Sequence, residues 1–202
     1  MTRRGHLIVM ARAPRLGAVK RRLARDIGDL AALRFYRQTL RALLRKLTRD
    51  PRWRVSLAIT PDRAARRKMF GASTLKQGRG DLGARMGRFL RARRAGPVVI
   101  VGTDIPDLGR GQVARAFSAL RSRDWVLGPS GDGGYWLIGA SRLRRMPRDP
   151  FAGVRWSSAH TRADTLANLR DARIVFLEEL DDIDTGADLA RHRQERLHHE
   201  ED

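Results

Sequence analysis

Four acidic and basic side chains carry the chemistry this sequence offers: Lys20, Asp104, Asp132 and Asp184. Asp104 follows Val98-Val99-Ile100-Val101-Gly102-Thr103, and Pro106 stands two residues beyond it. Four consecutive apolar residues leave no polar face, so the run reads as a strand buried on both sides. Pro106 can continue neither a ladder nor a helix interior. A carboxylate is thereby held at the C-terminal end of a buried strand, where open α/β sheets bind ligands. Lys20 lies in Ala11-Arg12-Ala13-Pro14-Arg15-Leu16-Gly17-Ala18-Val19-Lys20-Arg21-Arg22-Leu23, a loop that follows the apolar run Leu7 to Met10. Cations on a Pro/Gly loop after a strand suit an anion such as phosphate, and a solvated basic loop explains the same residues. Asp132 sits within Ser130-Gly131-Asp132-Gly133-Gly134. Such glycines admit a close ligand, but Asp-Gly and Gly-Gly also make strong hairpin turns, and the turn is the favoured reading. Asp184 closes the acidic run that begins at Glu178. Three carboxylates following strands in so basic a chain suggest a divalent cation held by one or two of them together with ligand phosphates.

The elements needed to position these groups are visible in the pattern. Leu33, Tyr36, Leu40, Leu43, Leu44 and Leu47 recur at helical spacing, and Val55 to Ile59 alternates as a strand. After Pro61-Asp62 the chain reads as a basic connection. Asp81 opens a helix that should turn Leu82, Met86, Phe89 and Leu90 inward; an N-cap role for Asp81 is favoured over a ligand role. A helix bearing Val113, Phe117 and Leu120 follows the central strand. Strands are expected at 125–129, 135–139 and 174–177, with Ser157 or Ser158 capping a helix that carries Leu166 and Leu169. His160, beside those serines, reads as a helix-surface residue rather than a general base. Thr185 and Asp188 have the spacing of a capping box, with Asp for the usual Glu. Strands alternating with helices give an α/β fold, one domain over 1–190, with a mostly parallel sheet covered on both faces. Residues 191–202 read as a charged, frayed tail in which His198 and His199 are solvated.

Composition excludes more than it selects. The 202 residues suit a single core, and no run approaches the about 20 apolar residues of a membrane span. Without cysteine there is no disulfide, thiolate site or cysteine nucleophile, and a cytoplasmic location is the default expectation. The net charge of +20 invites a nucleic-acid reading, yet only four of 42 basic residues are lysine and the arginines are spread along the whole chain. That distribution, with 6% aromatics, argues against specific nucleic-acid recognition.

Five motifs in order, spanning 11–23, 77–86, 102–108, 128–139 and 182–185, resemble small bacterial transferases of the glycosyltransferase-A fold. These are the DUF2064 type, within the nucleotide-diphospho-sugar transferases and including glycosyltransferases of arsenosugar-type pathways. The resemblance implies a Rossmann-like three-layer sandwich. It also implies a nucleotide whose phosphates are wrapped by Ala11, Arg12, Pro14, Gly17, Lys20 and Arg22. Asp104 and Asp184 would hold Mg²⁺ or Mn²⁺, and Gly131, Asp132, Gly133 and Gly134 would face the acceptor. Lys20, Asp104 and Asp132 become the expected catalytic groups, with Asp132 as hydrogen-bond partner or base. Two positions depart from the family pattern: Arg21 replaces a small hydroxyl residue, and Arg12 a lysine. The expected activity is transfer from a nucleotide sugar to a small acceptor. The alternative is nucleotidyl transfer to a phosphorylated small molecule with release of pyrophosphate.

Overall fold

The computed structural model describes residues 4–92, 96–141 and 146–201, with side chains to Glu195. Its strands are β1 (Gly5–Arg12), β2 (Trp53–Thr60), β3 (Lys68–Met69), β4 (Ala72–Lys76), β5 (Val98–Val101), β6 (Trp125–Pro129), β7 (Tyr135–Ala140) and β8 (Ile174–Phe176). They form one sheet in the order β3-β4-β2-β1-β5-β7-β6-β8. Parallel pairing joins β4, β2, β1 and β5, and also β6 and β8, while β3 and β7 run against their neighbours. The reversal of β7 follows from its short connection: a turn of a few residues can only fold a strand back beside its predecessor.

Alternation within each strand divides the core. Leu7, Val9, Leu57, Ile59, Val99 and Val101 face one side. There they meet Tyr36, Leu40, Leu43, Leu44 and Leu47 of α2 (Asp29–Thr48), with Val113 and Ala116 of α4 (Arg110–Ala119). Ile8, Ala58, Val98, Ile100, Leu127 and Ile138 face the other, against Met86 and Leu90 of α3 (Leu82–Arg91) and Leu169 just after α5 (Thr161–Asn168). The expected three layers result. A third, smaller cluster joins Leu23 of α1 (Arg21–Ile27) to Ala32, Ile183 and Leu189, the last on α6 (Gly186–Glu201). Among the described residues no helix is long and apolar enough to cross a membrane.

Several expectations need correction. The basic connection after β2 contains β3 and β4, whose charged and polar outer positions hide the strand pattern, as suits strands near a sheet edge. Leu82 is exposed, because it is the first residue of α3 and lies ahead of the buried stripe set by Gly83, Met86 and Leu90. Neither Ser157 nor Ser158 is the N-cap of α5. His160 holds that position, and Ser158 Oγ instead donates to Arg155 O and accepts from His160 N, closing the preceding turn. Residues 191–201 are helical, as part of α6. Arg191 pairs with Asp188 at 2.8 Å, and His192 lies 3.5 Å from Asp107. The side chains of His198 and His199 lie outside the described residues.

Candidate active site

The C-terminal ends of β1, β2 and β5 open into a cleft of about 670 Å³. At its floor, β5 delivers Gly102, Thr103 and Asp104. Gly102 N donates to Trp136 O, Thr103 is buried, and Ile105 and Leu108 anchor the loop below, so Asp104 is presented on a fixed backbone. Asp184 arrives from 80 residues later in the chain and is clamped beside Asp104 by the backbone: Ile183 N donates to Asp104 O at 3.0 Å. Ile183 is itself buried against Leu23 and Leu189. The Thr185–Asp188 cap fixes the first turn of α6 directly after it. Asp188 Oδ2 accepts from Thr185 N at 2.8 Å, and Thr185 Oγ1 accepts from Asp188 N at 3.2 Å.

Lys20 joins the two acids. Its Nζ lies 2.7 Å from Asp104 Oδ1 and 2.9 Å from Asp184 Oδ1, with a side chain only 5% exposed. Burial alone would lower the lysine pKa, but the two carboxylates outweigh it and the group is held above its ordinary value. Lys20 has φ 48 and ψ 47, the left-handed region, immediately before α1. That conformation costs a non-glycine residue roughly 1–2 kcal/mol. Buried Val19 and Leu23 on either side fix the turn that imposes it. Arg22 Nη1 reaches Asp184 Oδ2 at 3.5 Å from a largely exposed side chain.

Two buried groups brace the walls. Tyr36, read from sequence as core alone, donates its hydroxyl to Arg12 O and accepts from Arg12 N, both at 3.0 Å, pinning the end of β1. Burial pushes its phenol up to about 12, so it stays protonated. Gln77 Nε2 donates to Ala11 O at 3.0 Å and Ala58 O at 2.9 Å, which ties β1 and β2 to the glycine-rich loop before α3. Asp81 accepts from Ala84 N at 2.8 Å: the cap is real, and its residue also borders the cleft. Trp156 and Ser157 close the opposite wall. The Trp156 Nε1 is buried without a hydrogen-bond partner among the described residues, and Ser157 has φ 57.

Of the expected ligand-contacting residues, Ala11, Arg12, Lys20, Arg22, Asp104 and Asp184 meet in this cleft. Pro14 does not line it, and Gly17 borders a neighbouring hollow of about 450 Å³ with Arg21, Arg25 and Gly28. Gly131 and Asp132 open instead onto a recess of about 130 Å³ beside Asp107, Asp181 and Asp182. The 130–134 segment is a hairpin turn. Asp132 Oδ1 accepts from Ser130 Oγ at 2.6 Å and Gly134 N at 2.9 Å, so the carboxylate shapes its own loop. Gly133, with φ 82, lies against Ala159 O so closely that a Cβ would sit 2.3 Å away. Gly133 and Gly134 line neither hollow. Asp182 opens the 182–185 motif without a role expected of it. Half-burial, Asp184 and Asp132 together push its carboxyl up to about 6. A further hollow of about 560 Å³ lies at the far end of β6 and β7, where Asp124 is already held by Arg173.

A family model described as "Uncharacterized protein conserved in bacteria (DUF2064)" matches residues 43–158. No curated protein matches the sequence. Among solved structures, a Desulfovibrio desulfuricans G20 protein, provisionally assigned as a nucleotide-diphospho-sugar transferase, superposes with a TM-score of 0.85 at 28% identity. The match covers 93% of this chain and 85% of that one. The 4-diphosphocytidyl-2C-methyl-D-erythritol synthase of Anaerococcus prevotii DSM 20548 gives 0.56 at 10% identity, over 93% and 95%. A glucosyl-3-phosphoglycerate synthase of Mycobacterium tuberculosis, in complex with Mn²⁺, UDP and glucosyl-3-phosphoglycerate, gives 0.55 at 12% identity, over 89% and 71%. The last two likenesses are of fold.

Proposed function

The chain belongs to the bacterial family described as DUF2064, and we propose that it transfers a group from a nucleotide-activated donor, a nucleotide sugar, to a small acceptor. The observation that carries this reading is the convergence of Lys20, Asp104 and Asp184 at the C-terminal rim of the sheet, with Arg12 and Arg22 on the same cleft. Open α/β sheets bind nucleotides at that rim. The fold shared with nucleotide-dependent transferases supports it.

A divalent metal suits the donor set. Two carboxylate oxygens converge on one point, and the Lys20 ammonium there stands in for a cation. Among the described residues no group of three or more acidic, histidine or cysteine ligands exists. The protein would therefore contribute Asp104 and Asp184 and leave the remaining positions to water and phosphate, the pattern of Mg²⁺ and Mn²⁺ sites that act on nucleotides. When bound, such a metal neutralises diphosphate charge as the leaving group departs. The chain's own part is electrostatic and positional. Arg12, Lys20 and Arg22 bring positive charge to the departing phosphate oxygens, electrostatic stabilisation of the kind that dominates many enzyme rate enhancements. Tyr36 and Gln77 hold the end of β1 that carries Arg12.

The same three cations also suit a triphosphate, which favours nucleotidyl transfer as the second reading. Incubation with nucleotide sugars and with nucleoside triphosphates, each with Mg²⁺ or Mn²⁺ and a panel of sugar and phosphosugar acceptors, separates the two. Free nucleoside diphosphate with a new glycoside supports the first; pyrophosphate supports the second. Turnover of neither class, with no nucleotide binding in calorimetry, would refute both.

A further inference from the structure

The two carboxylates that suit a metal already have a cation between them. Lys20 Nζ is 2.7 and 2.9 Å from their Oδ1 atoms. Metal–oxygen bonds of about 2.0–2.6 Å to the same two oxygens would put the metal into the space the nitrogen fills. The ammonium and the metal exclude one another by size and by like charge. We propose that Lys20 is an exchangeable internal counter-ion. Without metal, its ammonium neutralises Asp104 and Asp184; when metal binds, it leaves the pair and turns into the phosphate side of the cleft. This rests on the metal-and-nucleotide reading of the site above.

Three observations carry the inference. First, Lys20 is the sole described basic partner of Asp104, and Asp184 has otherwise only the exposed Arg22 at 3.5 Å. The metal-free pair therefore depends on this one ammonium for neutralisation. Second, the lysine is rooted outside the acidic pair, at the left-handed junction between the first loop and α1, between buried Val19 and Leu23. Its flexible four-carbon stem can swing while the backbone stays fixed. Third, Arg12 and Arg22 line the same cleft, so a displaced ammonium remains beside the groups that would meet donor phosphates. Metal and phosphate binding then reinforce one another. The metal must evict Lys20, and phosphate gives the evicted ammonium a new partner, so each ligand raises the affinity of the other.

The chain has four lysines, and the other three, Lys46, Lys68 and Lys76, are all exposed and serve as internal references. The test is brief acetylation of the full chain, in chelator and in saturating Mn²⁺, read residue by residue by mass spectrometry. Lys20, buried and ion-paired, should be at least about tenfold protected relative to the three references in chelator, and should lose that protection in Mn²⁺ while the references stay unchanged. Alongside, Mn²⁺ affinity is measured by electron paramagnetic resonance on the natural chain, Lys20→Met and Asp104→Asn. Removal of the competing ammonium should tighten Mn²⁺ binding about tenfold or more in Lys20→Met, and Asp104→Asn should abolish it. If Mn²⁺ binds through Asp104 while Lys20 stays protected, or binds no more tightly to Lys20→Met, the exchange is overturned and the transferase reading stands. If Mn²⁺ binds to none of the three proteins, the metal reading fails and the exchange with it. Should Lys20→Met not fold, the labelling of the natural chain still decides.

Discussion

The ion triad makes a quantitative prediction about stability that needs no substrate. Asp104→Asn and Asp184→Asn each leave Lys20 with one carboxylate, whereas the double variant leaves a side chain only 5% exposed with its charge unpaired. At 2.7 Å the gross attraction is about 6 kcal/mol for an effective dielectric of 20. Most of it offsets the desolvation of the ammonium, and the carboxylates, 46% and 37% exposed, are screened by water. Each single substitution should therefore cost about 1 kcal/mol, and the double about 3–5 kcal/mol, the penalty of an uncompensated buried charge. The excess over additivity should be at least about 1 kcal/mol, well above the 0.3–0.5 kcal/mol scatter of independent sites. Urea denaturation in chelator measures all three, with a triple variant adding Lys20→Met as the control. Removing the charge together with its partners should recover most of the loss. Additive single and double effects, or a triple variant no more stable than the double, would refute the reasoning.

Asp104→Asn should also lower turnover about 100-fold or more while the far-ultraviolet circular dichroism is unchanged, since one lost electrostatic contact at a reacting phosphate costs about 2.7–4 kcal/mol of barrier. Asp182 has a folded pKa of about 6, above its ordinary 3.8. Its charged form therefore opposes folding above pH 6, and the opposition fades as pH falls towards 4. Asp182→Asn should gain about 1 kcal/mol at pH 8, the shift discounted for half-exposure, and nothing at pH 4, read from urea midpoints across pH. Gly128→Ala would put a Cβ 2.3 Å from the ring of buried Trp136, whose Nε1 donates to Glu178 O at the root of the acidic run. It should lose about 1–3 kcal/mol of stability by overpacking, read from urea midpoints, and weaken Mn²⁺ binding by displacing the segment that carries Asp184.

What the sequence revealed followed the strength of its periodicity. β1, β5 and β7 are apolar on both faces and bounded by glycine or proline, and α2 shows its stripe over 20 residues, so all four could be read directly. β3 and β4 lack a continuous apolar face, and α1 buries a single residue, Leu23, so neither leaves a readable period. At the site, the structure brings Asp104, Lys20 and Asp184 into contact; residue types and order place each of them after a strand or in a loop, while their roles rest on the family resemblance. Contacts made across the chain were hidden. The Ile183–Asp104 backbone bond and the Tyr36 and Gln77 braces join residues up to 79 positions apart, and nothing local announces them. At Asp132 the glycine neighbours favour a hairpin turn, and the short side chain does satisfy its own turn, the use to which Asp is suited in a Gly-rich hairpin; its acceptor-facing role comes from the family resemblance alone.

The identity of residue 20 follows from combining these constraints. The chain must adopt φ 48 there, a conformation that glycine accepts freely and lysine only at a cost of roughly 1–2 kcal/mol. Arginine, the ordinary cation of this sequence, would bear the same backbone cost and bring a planar fork that needs room for five donors. The space between Asp104 Oδ1 and Asp184 Oδ1 admits one nitrogen at 2.7 and 2.9 Å. A compact ammonium on a flexible stem fits that gap and can leave it, whereas a bidentate guanidinium would bind the pair too broadly to yield to a metal. Lys20→Arg therefore distinguishes the roles. If position 20 supplied only positive charge to phosphate, arginine would substitute for it. If it must also vacate a narrow site, Lys20→Arg should keep the fold and bind Mn²⁺ more weakly than Lys20→Met, a difference that equilibrium binding measures directly.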